Sequence, residues 1–227
     1  MTTGDLLSRV RTGLADVRER IERAGGGDDV AIVAVTKAFG PEAIEAALAA
    51  GCRSIGENYA QELLAKRDVA AAADVHFIGQ LQTNKVRQIA GLVDVYETVD
   101  RPRLANEIAK RDPGATVLVQ VDTSDEPGKG GVPLADLDPL VEHVRSVGLD
   151  LVGLMTVGPT EGGPDAAAPG FRLVRAAVDR LGLSVCSMGM TADLEVAVAE
   201  GSTQIRVGTA LFGERPSHVH NAGDQER

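Results

Sequence analysis

A lysine that follows an unbroken apolar run is the first place in this chain where chemistry can be sought. Lys37 comes one residue after the run Val30-Ala-Ile-Val-Ala-Val35. Delivered to a strand end and partly desolvated, its amine deprotonates more readily and can attack a carbonyl carbon to form a Schiff base. A lysine reaching from a strand end to solvent would look the same, and position alone does not separate the two. A second group of residues suits an anion. Ser187, Gly189 and Thr191 precede one helical stretch, and Gly208 and Thr209 follow the last apolar strand. Glycines allow close approach of backbone N–H groups, and hydroxyls donate. Ordinary turns and helix caps use the same residue types. The third feature is Arg206, set between Ile205 and Val207. A cation inside an apolar strand needs an acceptor, either a ligand atom such as a pyridine nitrogen or the carboxylate of a structural ion pair.

Other candidates are weaker. Lys85 and Lys129 are expected on loops and solvated, and Gly128-Lys-Gly-Gly131 lacks the spacing of a P-loop. His76 opens an apolar strand and reads as a satisfied core histidine, while His218 and His220 lie in a polar tail. No metal site is expected: the chain has no H-E-x-x-H and no cysteine pair at metal spacing, and it lacks G-x-S-x-G as well.

The elements that would position these residues alternate regularly. Residues 4–24 form an amphipathic helix, with Leu6, Val10, Leu14, Val17 and Ile21 on one face. Strands are expected at 30–35, 53–55, 75–78, 93–99, 116–121, 149–155, 183–187 and 204–207. Helices are expected at 41–50, 57–72, 83–90, 101–110, 134–147, 171–181 and 192–200, with a loop at 158–170. Continuous apolar strands suit a parallel sheet covered on both faces. Eight strand–helix units in one chain of 227 residues favour a closed (β/α)8 TIM barrel over an open doubly wound sheet. In such a barrel the polar strand ends share one mouth, where Lys37, Arg206 and the hydroxyl-rich turns would meet.

Composition narrows the function. The net charge is -10 and no basic block occurs, which argues against nucleic acid as a partner. No apolar run is long enough to span a membrane and no signal-peptide core opens the chain, so a cytoplasmic protein is expected. Cys52 and Cys186 lie in apolar runs and read as buried, reduced thiols.

Seven segments, in order, resemble the pyridoxal phosphate homeostasis proteins, also called the YggS-type or proline synthetase co-transcribed family. They are AVTKAFG around Lys37, GENYAQE at 56–62, HFIGQLQTNK at 76–85, QVDTSDEPGKGG at 120–131, GLMTVGP at 153–159, SMGMTADLE at 187–195 and IRVGTALFGER at 205–215. The resemblance implies one barrel over residues 1–227 like the N-terminal domain of alanine racemase (fold type III of the PLP proteins), with a polar, disordered tail from about 215 to 227. It implies pyridoxal 5′-phosphate (PLP) as cofactor, carried by Lys37 as an aldimine. Arg206 would face the pyridine nitrogen. Ser187, Gly208 and Thr209 would hold the phosphate with the Gly189–Met190 loop, and Asn58 and Met155 would line the ring. Three departures from the pattern stand out: Thr191 where Ser is usual, Gln80 where Pro or His is frequent, and a short Gly/Pro-rich loop at 160–169.

Racemases of this fold use a second acid–base group, a tyrosine of a separate domain in the partner subunit. This sequence runs out after its eighth strand and has two tyrosines, Tyr59 and Tyr96. Tyr96 falls within a strand and is expected in the core; Tyr59 follows Asn58 at a strand end. An arginine at the pyridine nitrogen disfavours ring protonation and weakens the cofactor as an electron sink. The expectation is a monomeric PLP carrier in vitamin B6 homeostasis, delivering to PLP-dependent apo-enzymes without robust turnover. A low-activity PLP racemase or lyase, a PLP-independent Schiff-base aldolase and a pure interaction protein remain as alternatives.

Overall fold

The computed structural model describes residues 3–124, 126 and 128–214. Along the chain the elements are α1 (Thr3–Arg23), β1 (Ala31–Val35), α2 (Pro41–Ala49), β2 (Ser54–Glu57), α3 (Ala60–Ala70), β3 (Asp74–Phe77), α4 (Thr83–Ile89), β4 (Val95–Val99), α5 (Pro102–Arg111), β5 (Thr116–Asp122), β6 (Val132–Pro133), α6 (Leu137–Ser146), β7 (Asp150–Met155), α7 (Ala168–Arg180), β8 (Val185–Ser187), α8 (Leu194–Ala199), β9 (Gln204–Val207) and α9 (Thr209–Phe212). Short 3-10 turns at Leu134–Asp136 and Pro164–Ala167 lead into α6 and α7.

Eight parallel strands close on themselves. Their order runs β1, β2, β3, β4, β5, β7, β8, β9, and β9 pairs back to β1 with Val33 opposite Arg206. The β4–β5 pairing completes the ring, which excludes the open sheet. The two-residue β6 pairs only with the end of β5. Each strand is buried on both faces because helices cover the outside and side chains fill the inside. That explains the near-continuous apolar runs.

Helix α1 packs on the outside of this ring, against β1 and β9, through the stripe anticipated from its spacing. Leu6, Val10, Val17 and Ile21 are buried against Ile32, Ala34, Ile205 and Val207 and against α2, α8 and α9. The larger cluster fills the space between the wall and α3 to α7. Cys52 and Cys186 are free and buried, and desolvation pushes both thiols up to about 11.

Several boundaries differ from expectation. The helix expected from residue 57 begins at Ala60, because Glu57 stays in β2 opposite Phe77. Helix α7 starts at Ala168, taking Pro169 into its first turn, where proline lacks only a hydrogen bond it would not make. Strand β6 was not anticipated, and the helix after the eighth strand, α9, was expected without bounds; both are too short to carry a periodic signal. The expected tail at 215–227, with His218 and His220, lies outside the described residues, as does Asp125.

Candidate functional site

The C-terminal ends of the strands enclose a cavity of about 350 Å3. Val35 ends β1 and faces it, followed by Lys37 in the next turn. Asn58 enters after β2, Ile78 after β3, and Met155 from the end of β7. Arg206 of β9, Gly208 and Thr209 at the start of α9, and Met190, Thr191 and Ala192 between β8 and α8 complete the polar side. The order of strands in the ring thus brings together residues as far apart in sequence as Lys37 and Thr209, 172 positions. Asn58 is held in place by a tight crossing. A Cβ on Gly79 would overlap the Asn58 backbone, so only glycine lets the β3 loop pass so close. The Asn58 Oδ1 atom is buried and has no hydrogen-bond partner.

Arg206 is 3% exposed, and its guanidinium is held from below. Its Nη1 donates to Ser187 Oγ at 2.6 Å and its Nη2 to the Thr156 carbonyl at 2.8 Å. Ser187 Oγ donates in turn to Glu97 Oε2 at 2.7 Å. Gln204 Nε2 and His76 Nδ1 reach Glu97 Oε1 at 2.8 and 2.6 Å. These residues come from β3, β4, β8 and β9, and β4 and β9 are not neighbours in the ring, so the network crosses the barrel interior. Burial alone would favour a neutral Glu97. The hydrogen bond and charge of His76, then Arg206 and Ser187, outweigh it and hold the carboxyl below its ordinary range. Burial draws the Arg206 guanidinium down, against the pull of Glu97 and Asp193. Arg206 is therefore both a member of an internal ion-pair network, at 4.0 Å from Glu97, and a wall of the cavity.

The family model for the alanine racemase N-terminal domain matches residues 7–216. The chain belongs to that family. Among relatives, it is 38% identical to a pyridoxal phosphate homeostasis protein of Aquifex aeolicus, over 95% of this chain and 99% of the relative. It is 40% identical to a protein of the same name from Pseudomonas aeruginosa, over 92% of this chain and 97% of the relative. Among solved structures, PipY of Synechococcus elongatus with PLP bound superposes with a TM-score of 0.75 at 31% identity, over 87% of this chain and 100% of that one.

Of the nine residues assigned to the site from the sequence, seven line the family's barrel mouth here: Lys37, Asn58, Met155, Met190, Arg206, Gly208 and Thr209. Ser187 does not. It is fully buried, and its hydroxyl is engaged with Glu97, Gln204 and Arg206 beneath the cavity floor. Gly189 does not line the mouth either. Its φ is +94°, and a Cβ there would lie 2.5 Å from the Ala197 Cβ, so glycine is needed for the turn and for packing on α8. Thr191 does line the mouth, and its backbone carbonyl is tied to Arg20 of α1 at 2.8 Å. His76 is a satisfied core histidine, as its place in the sequence suggested. Lys129 is not simply solvated: its Nζ donates to the Gly158 carbonyl at 2.7 Å and pairs with Glu126 at 3.0 Å. Lys85 is half-buried in α4.

Sequence reasoning gave no individual role to Glu97, Gln204 and Thr156 inside the barrel, or to Thr36, Glu57, Glu62 and Lys66 outside it. Two signals were there to be read. Glu97 interrupts the apolar strand Val95–Val99, and Lys66 falls on the buried stripe of α3 between Leu63 and Ala70. An ionisable residue on a buried face must have partners.

Proposed function

We propose that this chain holds PLP as a Schiff base on Lys37 and serves PLP storage and delivery rather than turnover. The observation that carries the reading is the single cavity that Lys37 and Arg206 share with a rim of Thr191, Gly208 and Thr209. Its volume of about 350 Å3 lies at the lower end of small-molecule sites. The donor set fits the group: an amine for an aldehyde, hydroxyls for a phosphate and apolar walls from Val35, Ile78 and Met155 for a ring. Arg206 uses two donors on Ser187 and Thr156 and has others on the same guanidinium for a ring nitrogen. The buried, unpartnered Asn58 Oδ1 is a further polar atom awaiting a ligand.

In this reading Lys37 carries the Schiff base, Arg206 faces the pyridine nitrogen and Asn58 and Met155 contact the ring. Gly208 and Thr209 bind the phosphate with Met190 and Thr191, and Ser187 acts through Arg206. The bound aldehyde supplies an exchangeable carbon–nitrogen bond that an incoming amine can take over from Lys37. PLP-dependent apo-enzymes in the cytoplasm are the recipients, and the carrier acts as a monomer. A racemase reading gains little support: Tyr59 is 57% exposed and outside the cavity lining, and Tyr96 is buried and donates to Asp112 at 3.0 Å.

The test is a visible absorption spectrum of the purified chain with added PLP, before and after borohydride reduction, with mass mapping of the reduced adduct. The expected result is a yellow protein whose adduct maps to Lys37 and is lost in Lys37→Ala. A chain that takes up no PLP would overturn the proposal. Catalytic interconversion of alanine or serine enantiomers would replace carriage with turnover.

A further inference from the structure

The turn that carries Lys37 has an unusual backbone. Ala38 has φ +65°, and among the described residues it is the one non-glycine residue in the left-handed region. There an alanine Cβ crowds the neighbouring carbonyl, and such a conformation persists only where the surroundings over-determine it.

The surroundings are charged. The Ala38 N–H donates to Glu62 Oε2 at 2.8 Å. On the other side of Lys37, the Thr36 carbonyl accepts from Lys66 Nζ at 3.0 Å. Lys66 also pairs with Glu57 Oε1 at 2.9 Å and with Glu62 at 3.5 Å, one helical turn away on α3. Thr36 Oγ1 donates to the same Glu57 oxygen at 2.6 Å. Lys66 is 5% exposed and Glu57 0%. Both peptide groups flanking Lys37 are therefore held by charge-assisted hydrogen bonds. Anchoring α3 to the wall does not require this arrangement, since apolar residues of similar size commonly stabilise as well as a buried ion pair.

We propose that Glu57, Lys66 and Glu62 form a positioning triad that locks the turn around Lys37 and aims its amine into the cavity. The triad does not touch the ligand; it acts through the Thr36 carbonyl and the Ala38 amide. The inference rests on the reading of Lys37 as the Schiff-base lysine.

Two measurements on the full chain test it. The first is hydrogen exchange at the Ala38 amide in the cofactor-free protein, which needs no PLP. The second is the rate at which added PLP is trapped on Lys37 by borohydride. Glu62 is 32% exposed, so Glu62→Ala is expected to fold with little change in thermal midpoint. Releasing the turn should speed Ala38 exchange and slow trapping, each by about tenfold. Glu62→Gln keeps an acceptor for the Ala38 amide and should lie between wild type and Glu62→Ala. Ala38→Gly in the Glu62→Ala background should recover trapping, because glycine adopts the left-handed turn without a Cβ clash. Lys66→Met should slow trapping as Glu62→Ala does, and the double variant no further, because the residues act as a unit. Wild-type Ala38 exchange and trapping in Glu62→Ala would overturn the triad. If the wild-type chain took up no PLP, the proposed function would fall, and Ala38 exchange would still decide the positioning role.

Discussion

Glu97 and Glu57 are the same residue type, both 0% exposed, on opposite sides of one barrel wall, and they are treated differently. Inside the barrel both oxygens of Glu97 accept hydrogen bonds, from His76 and Gln204 on one and from Ser187 on the other. Outside, Glu57 accepts from Thr36 and Lys66 on one oxygen, while its Oε2 is buried without a partner. Burial opposes the charge in both. For Glu97 the partners win and the carboxyl stays below its ordinary range; for Glu57 burial wins over Lys66 and Thr36 and the carboxyl is pushed up. The charged form is favoured where both carboxylate oxygens are satisfied and disfavoured where one is left bare, even beside a cation.

The largest effect is expected from breaking the inner cluster. Glu97→Gln leaves Arg206 and His76 without their anion and should cost about 3–5 kcal/mol at neutral pH, read from urea denaturation. Glu97 has a depressed folded pKa, so its contribution is complete above the ordinary Glu value of about 4.3 and is lost as the pH falls through its folded value. The gap between wild type and Glu97→Gln should therefore hold through neutral pH and narrow in acid. Glu57→Gln should cost less, about 1–2 kcal/mol, and show the opposite trend. With a folded pKa raised above the unfolded one, Glu57 contributes most in acid and loses that contribution as the pH rises through its folded value. Parallel pH profiles for the two variants would erase the contrast.

A second pair of substitutions sharpens the same inside–outside distinction. Gly189→Ala meets Ala197 of α8 and a positive φ, and should lower stability by about 2 kcal/mol. At Gly208 the φ is −123°, and a Cβ would sit 3.2 Å from the Val35 carbonyl, at the mouth. Gly208→Ala should cost under about 1 kcal/mol and weaken PLP uptake instead. The reverse pattern would return Gly189 to the ligand.

The smallest effect belongs to the contact between Glu126 and Thr160, outside the cavity lining. Glu126 accepts from the Thr160 amide at 2.8 Å and its hydroxyl at 2.7 Å, and these bonds, with Lys129, hold its carboxyl down to about 2. The folded pKa is depressed, so the contact should persist above the ordinary carboxylate range and loosen as the pH falls towards about 2. The Thr160 amide chemical shift should follow that titration and not an ordinary Glu curve.

Much of the site was legible because strand ends carry the polar residues of a parallel barrel. Lys37, Asn58, Met155, Arg206 and Thr209 all lie just at or beyond apolar runs, and the cavity gathers them. Ser187 ends a strand too, yet alternation turns its side chain inward and down, to the level of Gln204 and Glu97. Gly189 packs close to Ala197, and a glycine at a turn carries no mark of whether a ligand or a helix needs the space. Glu62 and Lys66 were passed over because their helix was assigned by its bounds, with no face of it read as buried.

By itself the sequence determined the alternation of strands and helices, the two-sided burial of the strands, the stripe of α1 and the placing of Lys37 at a strand end. These follow from the identities of neighbouring residues, since periodicity and punctuation are local properties of the chain. Only the tertiary structure decided that the sheet closes, that residues of β4 and β9 meet across the interior, and that Ala38 takes a left-handed turn beside Lys37. Each of these depends on groups distant in sequence, because a buried charge or an unfavourable φ is stabilised by partners that only the closed barrel brings within hydrogen-bonding distance.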